Sequence, residues 1–262
     1  MSAPILHKLG PFRVPWLNGE RYVRVYVPHR GPGPEPQPVH PVHPVIYMFD
    51  GQNIFHDDPS FSGGWHMHHS VQELVSHGRP APVIVGIDHG GRHRIDELSP
   101  FRCRMSKGQL NSLLGWMGKT LIPLIHAEFP VRRDVGGAAI GGSSMGGLAA
   151  LYAHYQRPEL FGAALCMSPS LWLARGKIFR WLETQSRPWT SRIYVDAGAK
   201  EGRIFKDAAQ LVAHLRARGY NDDHLRWRPD PIGRHNEADW RRRAPSALEF
   251  LFADAGAHER AA

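Results

Sequence analysis

Residues 137–147 read Gly-Ala-Ala-Ile-Gly-Gly-Ser-Ser-Met-Gly-Gly, and Gly142, Ser144 and Gly146 within them have the spacing G-x-S-x-G. That spacing suits a serine held on a sharp strand-to-helix turn, where any side chain at the flanking glycines would meet neighbouring backbone. A serine hydroxyl is a weak nucleophile near neutral pH. It needs a histidine to take its proton and a carboxylate to orient that histidine.

With 17 histidines in the chain, position must identify the base. Where a G-x-S-x-G serine tops an α/β-hydrolase sheet, the acid and then the histidine follow it along the chain. His154 and His214 fall in helical patterns, His224 opens a strand and His258 sits in a polar tail. His235, in the loop 231–237 after the final strand pattern, is the remaining candidate. For the acid, the loop after the strand at 192–195 offers Asp196 and Glu201. Spacing does not choose between them: Asp196 still belongs to the strand end, whereas Glu201 stands where the loop can bend toward His235.

Around the serine the order is strand, turn, helix. Residues 136–140 are small and apolar, as a strand buried on both faces requires. Leu148, Leu151, Tyr152 and Tyr155 then recur at helical spacing, and Pro158 closes the pattern. Further strands are expected at 45–49, 82–87, 162–167, 192–195 and 224–228, alternating with helices at 66–77, near 178–182, after 202 and from about 238 to 252. Ser106 to Gln109 reads as a capping box opening a helix that carries Leu110, Leu113, Leu114, Met117 and Leu121, with Pro123 kinking or ending it. Residues 22–27 alternate apolar and polar, as an antiparallel edge strand near the start of the sheet would. The expected fold class is α/β: a mostly parallel central sheet with an antiparallel N-terminal start and helices on both faces. One domain over 1–262 is expected, with a surface loop at 28–44 that holds seven prolines and a flexible tail at 253–262.

Four segments together resemble the putative-esterase family of α/β hydrolases, the group of siderophore (enterochelin-type) esterases, feruloyl esterases, S-formylglutathione hydrolases and mycolyl transferases. They are Tyr47-Met48-Phe49-Asp50-Gly51-Gln52-Asn53-Ile54-Phe55, Gly86-Ile87-Asp88 with Arg94 to Pro100, Gly141 to Gly147, and His235-Asn236-Glu237 with Trp240. The resemblance implies Ser144 as nucleophile and His235 as base, and it places the acid at the last position of Gly198-Ala199-Lys200-Glu201. An oxyanion hole needs two backbone N–H groups. Met145, directly after the nucleophile, supplies one, and the family's Asp-Gly-x loop puts the other at Gln52.

The formal charge of +8 and pI near 9.8 come from scattered arginines, with no basic helix interleaved with aromatics, so a solvated basic surface is expected and no nucleic-acid partner. No run of some 18 apolar residues and no basic-then-apolar N-terminal segment is present, which favours a cytoplasmic protein without a membrane partner. Cys103 and Cys166 are expected as free thiols. His66-Met67-His68-His69 reads as a polar helix entrance rather than a metal centre, since no Cys or Glu accompanies it at ligand spacing. Trp65 and Trp172 are candidate walls of an acyl or aromatic pocket, with burial in the core as the alternative. Arg92, Arg94, Arg102, Arg104 and Lys107 gather in one polar connection, either to meet a substrate anion or, for Arg94 and Glu97, to pair with each other. The expected activity is hydrolysis of a small-molecule carboxylic ester through an acyl-serine, with no metal or organic cofactor. Acyl transfer by the same residues and a non-catalytic binding protein on the same fold are the alternatives. Oligomeric state is not legible.

Overall fold

The computed structural model describes residues 6–29, 42–58, 62–188 and 190–253. Most of the Pro-rich connection expected at 28–44, and the tail after residue 253, lie outside them. Among the described residues, eight strands form one sheet in the order β1-β2-β4-β3-β5-β6-β7-β8. They are β1 (Leu6–Arg13), β2 (Glu20–Tyr26), β3 (Val45–Phe49), β4 (Val83–Ile87), β5 (Ala138–Ser143), β6 (Ala163–Met167), β7 (Arg192–Gly198) and β8 (Leu225–Asp230). The first two run antiparallel and the other six are parallel to one another.

Every residue of β3, β4, β5 and β6 is buried, so these strands are apolar without alternation. The period of two decides instead which face each residue serves. Val45, Tyr47 and Phe49 point into the core layer shared with α5 (Met145–Gln156) and α7 (Arg203–Ala217), whereas Ile46 and Met48 belong to the opposite layer, shared with α1 (Met67–Ser76) and α8 (Glu237–Leu251). Between β4 and β5 come the short α2 (Arg94–Leu98), then α3 (Leu110–Trp116) and α4 (Ile122–Glu128), joined by a π-helical turn, Met117–Leu121. Pro123 has no N–H to give, and the ladder rearranges in the turn before it. The last helix to place, α6 (Leu173–Glu183), is interrupted where Ala174, Arg175 and Gly176 adopt positive φ.

Three expectations are corrected. Residues 22–27 are not an edge strand: β2 lies between β1 and β4, and β1 forms the edge. β1 escapes a period-two reading because its register shifts between Leu9 and Phe12, around Gly10 and Pro11. Ser106 caps no helix; its hydroxyl donates to Ile95 O and accepts from Gly108 N, and the helix starts at Leu110 behind an uncapped Gln109. Arg94 pairs with Asp50 rather than Glu97, which forms a buried ion pair with Arg21 at 2.8 Å. Cys103 and Cys166 are unpaired, as expected.

Candidate active site

Strand β3 is followed by a return toward β4, and β5 by an excursion the other way toward β6. The sheet therefore has its switch point between the carboxyl ends of β3 and β5, where open α/β sheets bind ligands. Ser144 stands there, half-buried, between β5 and α5 with φ 56° and ψ −117°. This is a strained setting for a residue with a side chain, and the kind of strain that gathers at functional sites. The flanking glycines make it feasible: a Cβ on Gly142 would lie 2.8 Å from the backbone of Gly146. Three hydrogen bonds hold the turn: Ser144 N to Met167 O (2.9 Å), Ser170 N to Ser144 O (2.9 Å) and Leu148 N to Ser144 O (3.2 Å).

Across the switch point, β3 ends in Asp50 at φ 61°, opening a single 3-10 turn, Gly51–Asn53. Arg94 grips both oxygens of Asp50, at 2.6 and 2.7 Å, and fixes this turn from α2. The first bond of the turn is Asn53 N to Asp50 O, so the N–H of Gln52 precedes the ladder and has no acceptor within the turn. Met145 is the first residue of α5, whose first backbone bond is made by Leu148, so its N–H is likewise left over. Both donors lie at helix N-termini, where partial positive charge favours an anion. The Gln52 side chain is occupied elsewhere, accepting from His89 N.

The structure joins Glu201 and His235. His235 Nδ1 is 2.7 Å from Glu201 Oε2, while Glu201 Oε1 accepts from Gly198 N (2.6 Å) and from Ser168 Oγ (2.8 Å). The Glu201 side chain is fully buried and that of His235 is 34% exposed. Burial works against the Glu201 charge, but hydrogen bonds from His235, Gly198 and Ser168 outweigh it and hold its carboxyl below the usual range. An ionised Glu201 only accepts, so the proton of neutral His235 sits on Nδ1 and leaves Nε2 as a base. The loops of Glu201 and His235 are also locked together: a Cβ on Gly198 would come within 2.2 Å of the Gly233 backbone, and Lys200 N donates to Gly233 O.

Asp196 faces the other way. It is completely buried, accepts from Ser168 N at 3.2 Å and from Arg243 Nε at 3.0 Å, and burial pushes its carboxyl up to about 7 against the pull of that guanidinium. Arg243 also donates to Asp230 and Ser168, so this cation from α8 braces the ends of β6, β7 and β8. Ser168 receives the Trp240 indole N–H at 3.0 Å, and the His235 ring stands edge-on to Trp240, with centroids 5.0 Å apart.

Ser144 Oγ pairs with Ser170 Oγ at 3.2 Å, and no hydrogen bond among the described residues joins it to His235. The two are related through the segment 167–170, which holds the serine turn at Met167 and Ser170 and the acid at Ser168. Ser168, Ser170 and Arg243 hold these groups and were missed by sequence reasoning, as was the pairing of Asp50, in the Asp-Gly loop already noted, with Arg94. The signal for two of them was the Ser-Pro-Ser run at the end of β6, the strand next to the serine elbow. Trp65 is 2% exposed and packs at a tilt against Trp240 with centroids 5.6 Å apart, which places it in the core instead of on a pocket wall. Trp172 is half-buried, ahead of α6, at the end of the loop leaving β6. His66, His68 and His69 lie together at the start of α1, with His68 pushed down to about 4 by burial and by the neighbouring imidazoles.

Similar proteins fit this geometry. The Shigella flexneri enterobactin esterase superposes with a TM-score of 0.77 at 22% identity, covering 97% of this chain and 61% of that one. The BES protein of Bacillus cereus gives a TM-score of 0.75 at 18% identity, covering 96% of both chains. In sequence, the siderophore triacetylfusarinine C esterase of Aspergillus fumigatus is 26% identical over 67% of this chain and 62% of its own length. The iron(III) salmochelin esterase of Escherichia coli is 28% identical over 66% of this chain and 43% of its own. The chain thus spans less than two thirds of the Shigella, Aspergillus and E. coli proteins. The sheet order, the serine elbow and these neighbours identify an α/β-hydrolase fold. A sequence profile described as "Putative esterase" matches residues 15–251, and the chain belongs to that esterase family.

Proposed function

We propose that the chain hydrolyses carboxylic esters through an acyl-enzyme on Ser144. The observation that carries this reading is the 2.7 Å bond that His235 Nδ1 donates to a buried, ionised Glu201, which leaves Nε2 as the base, in a chain whose candidate nucleophile is held at positive φ. His235 Nε2 takes the proton as Ser144 Oγ adds to the ester carbonyl, once a turn about the serine χ1 releases Ser170; such bonds are often unformed without substrate. The N–H groups of Met145 and Gln52 receive the oxyanion, and removing one such donor typically costs about 10²–10³ in kcat. The imidazolium, stabilised by Glu201, then protonates the leaving alcohol. Water repeats the sequence to free the acid. Because His235 is one-third exposed, bulk water reaches the base, which favours hydrolysis over acyl transfer. The names of the relatives make a siderophore ester the first substrate to try, with Trp172 as a wall for its acyl part.

The test is Ser144→Ala assayed on p-nitrophenyl acetate and on a cyclic or linear siderophore ester, with products separated by chromatography. Loss of about 10⁴-fold or more in kcat/KM on both supports the reading. Undiminished hydrolysis by the variant would remove Ser144 from the mechanism. Glycerol in the assay should leave free acid as the product, whereas glyceryl ester would show transfer.

A further inference from the structure

The chain turns sharply before α1. His66 precedes the helix at φ 49°, a left-handed conformation rarely taken by a residue with a side chain. That turn brings His66 to the same side as His68 and His69. Each of the three offers a ring nitrogen, and these nitrogens lie within 4.8 Å of one another. The ring centroids are 5.8, 5.4 and 4.1 Å apart. Three imidazoles on one tetrahedral ion, with bonds of about 2.0–2.1 Å, would set their centroids about 5 Å apart, so the observed spacings bracket the requirement.

Two further observations point to a ligand. Asp57 Oδ1 lies 2.7 Å from His66 Nε2 and is itself fixed by Gly64 N at 2.8 Å. A carboxylate on the far nitrogen of a histidine is how metal sites set the tautomer and aim the near nitrogen, here Nδ1. His68 Nδ1 is buried without a hydrogen-bond partner, and such a polar atom usually answers to a water, an ion or a ligand. Gly64 permits the arrangement: its Cβ would fall 2.1 Å from His56 O, so only glycine lets the strand of chain bearing Asp57 lie against the histidine turn.

We propose that His66, His68 and His69, oriented by Asp57, bind one divalent late first-row transition ion of the zinc type. Imidazole nitrogens select such ions over magnesium or calcium. The ion acts as a clasp. The segment it fixes carries Trp65, packed against Trp240, and Ser62, hydrogen-bonded to Glu237 at the start of α8. Residues directly after His235 are thereby tied to the histidine corner. The proposal does not rest on the esterase reading, and its test does not measure turnover.

The test uses untagged full-length protein, stripped with EDTA and desalted, and titrated calorimetrically with ZnCl₂ and optically with CoCl₂. One equivalent should bind at micromolar or lower Kd, with visible d–d absorption from cobalt. His69→Gln, at an exposed position, should weaken that equivalent at least 30-fold, and Asp57→Asn about 10-fold. His77→Gln, on an exposed histidine at the other end of α1, should leave it unchanged. Zinc at a hundred times Kd should raise the Tm of the wild type by about 5 °C and that of His69→Gln by none. No uptake at 100-fold excess, or an equivalent that persists at full affinity in both His69→Gln and Asp57→Asn, overturns the proposal.

Discussion

Replacing Glu201 with glutamine tests the assignment of the acid most sharply, because the change keeps the side chain's shape and alters only what it can accept. The carboxylate takes three donors: Gly198 N–H and Ser168 O–H on Oε1, and His235 Nδ1–H on Oε2. Ser168 already accepts from Trp240 and Arg243, so its proton is committed to Glu201. An amide has one accepting oxygen, and the two donors at Oε1 claim it. The NH₂ must then face His235 Nδ1, which has to accept, and the imidazole proton moves to Nε2, where a base is needed. The aspartate-to-asparagine change in a Ser-His-Asp enzyme, which imposes the same wrong tautomer, costs about 10⁴ in kcat, or ~5 kcal/mol of transition-state stabilisation. For Glu201→Gln we expect kcat on p-nitrophenyl acetate to fall by about 10³–10⁴. KM should change less than about threefold, since a fully buried side chain touches no substrate. Circular dichroism and Tm should confirm that the variant folds. A fall below tenfold in the folded variant, or a larger fall in folded Asp196→Asn, would refute the assignment.

Asp196→Asn should act on stability instead, lowering it by about 3 kcal/mol in denaturant titration because Arg243 loses one of its two bonded carboxylates inside the fold. Gly198→Ala forces a Cβ into the Gly233 backbone; melting should show a loss of about 1–3 kcal/mol, and kcat should fall at least about tenfold as Glu201 and His235 part. Arg94→Met frees Asp50 and loosens the turn that presents Gln52 N–H, so kcat should drop about 10–100-fold at nearly constant KM. On acidification, Glu201, Asp230 and Asp239 have folded-state pKa values below their unfolded ones. Their contribution is complete above the ordinary carboxylate range near pH 4 and is lost as pH falls through the depressed values, so Tm measured by calorimetry should decline below about pH 4.5, less steeply in Glu201→Gln. Asp196, pushed up to about 7, works the other way between pH 7 and 4, so the contradicting result is a Tm that rises on acidification below about pH 4.

How much was legible depends on the range over which each feature is encoded. The elbow is local: three glycine-and-serine positions, an apolar strand before and a helical pattern after, all within 20 residues. His235 stands out in the sequence because chain order eliminates its rivals. Spacing does not choose between Glu201 and Asp196, which stand five residues apart about the end of β7; what separates them is contacts to Ser168, His235 and Arg243, which are distant in sequence. β1 was illegible because none of its residues is buried, Leu6, Leu9 and Phe12 being half-buried and the rest exposed, and because its register slips. The pairing of Arg94 with Asp50 spans 44 residues, and a nearer glutamate offered an easier partner. Trp65 was ambiguous in sequence because a tryptophan before a helix serves a wall or a core equally well; its packing against Trp240 decides.

The place of Arg243 in the last helix has a consequence for the order of synthesis. A nascent chain emerging only as far as residue 236 would already hold the serine, the glutamate and the histidine. It would lack the guanidinium that cross-links Asp196, Asp230 and Ser168 and the indole against which the imidazole rests. Such a chain would hold every side chain to which the proposed mechanism gives chemistry, and none of the α8 contacts that set the glutamate and the histidine in place.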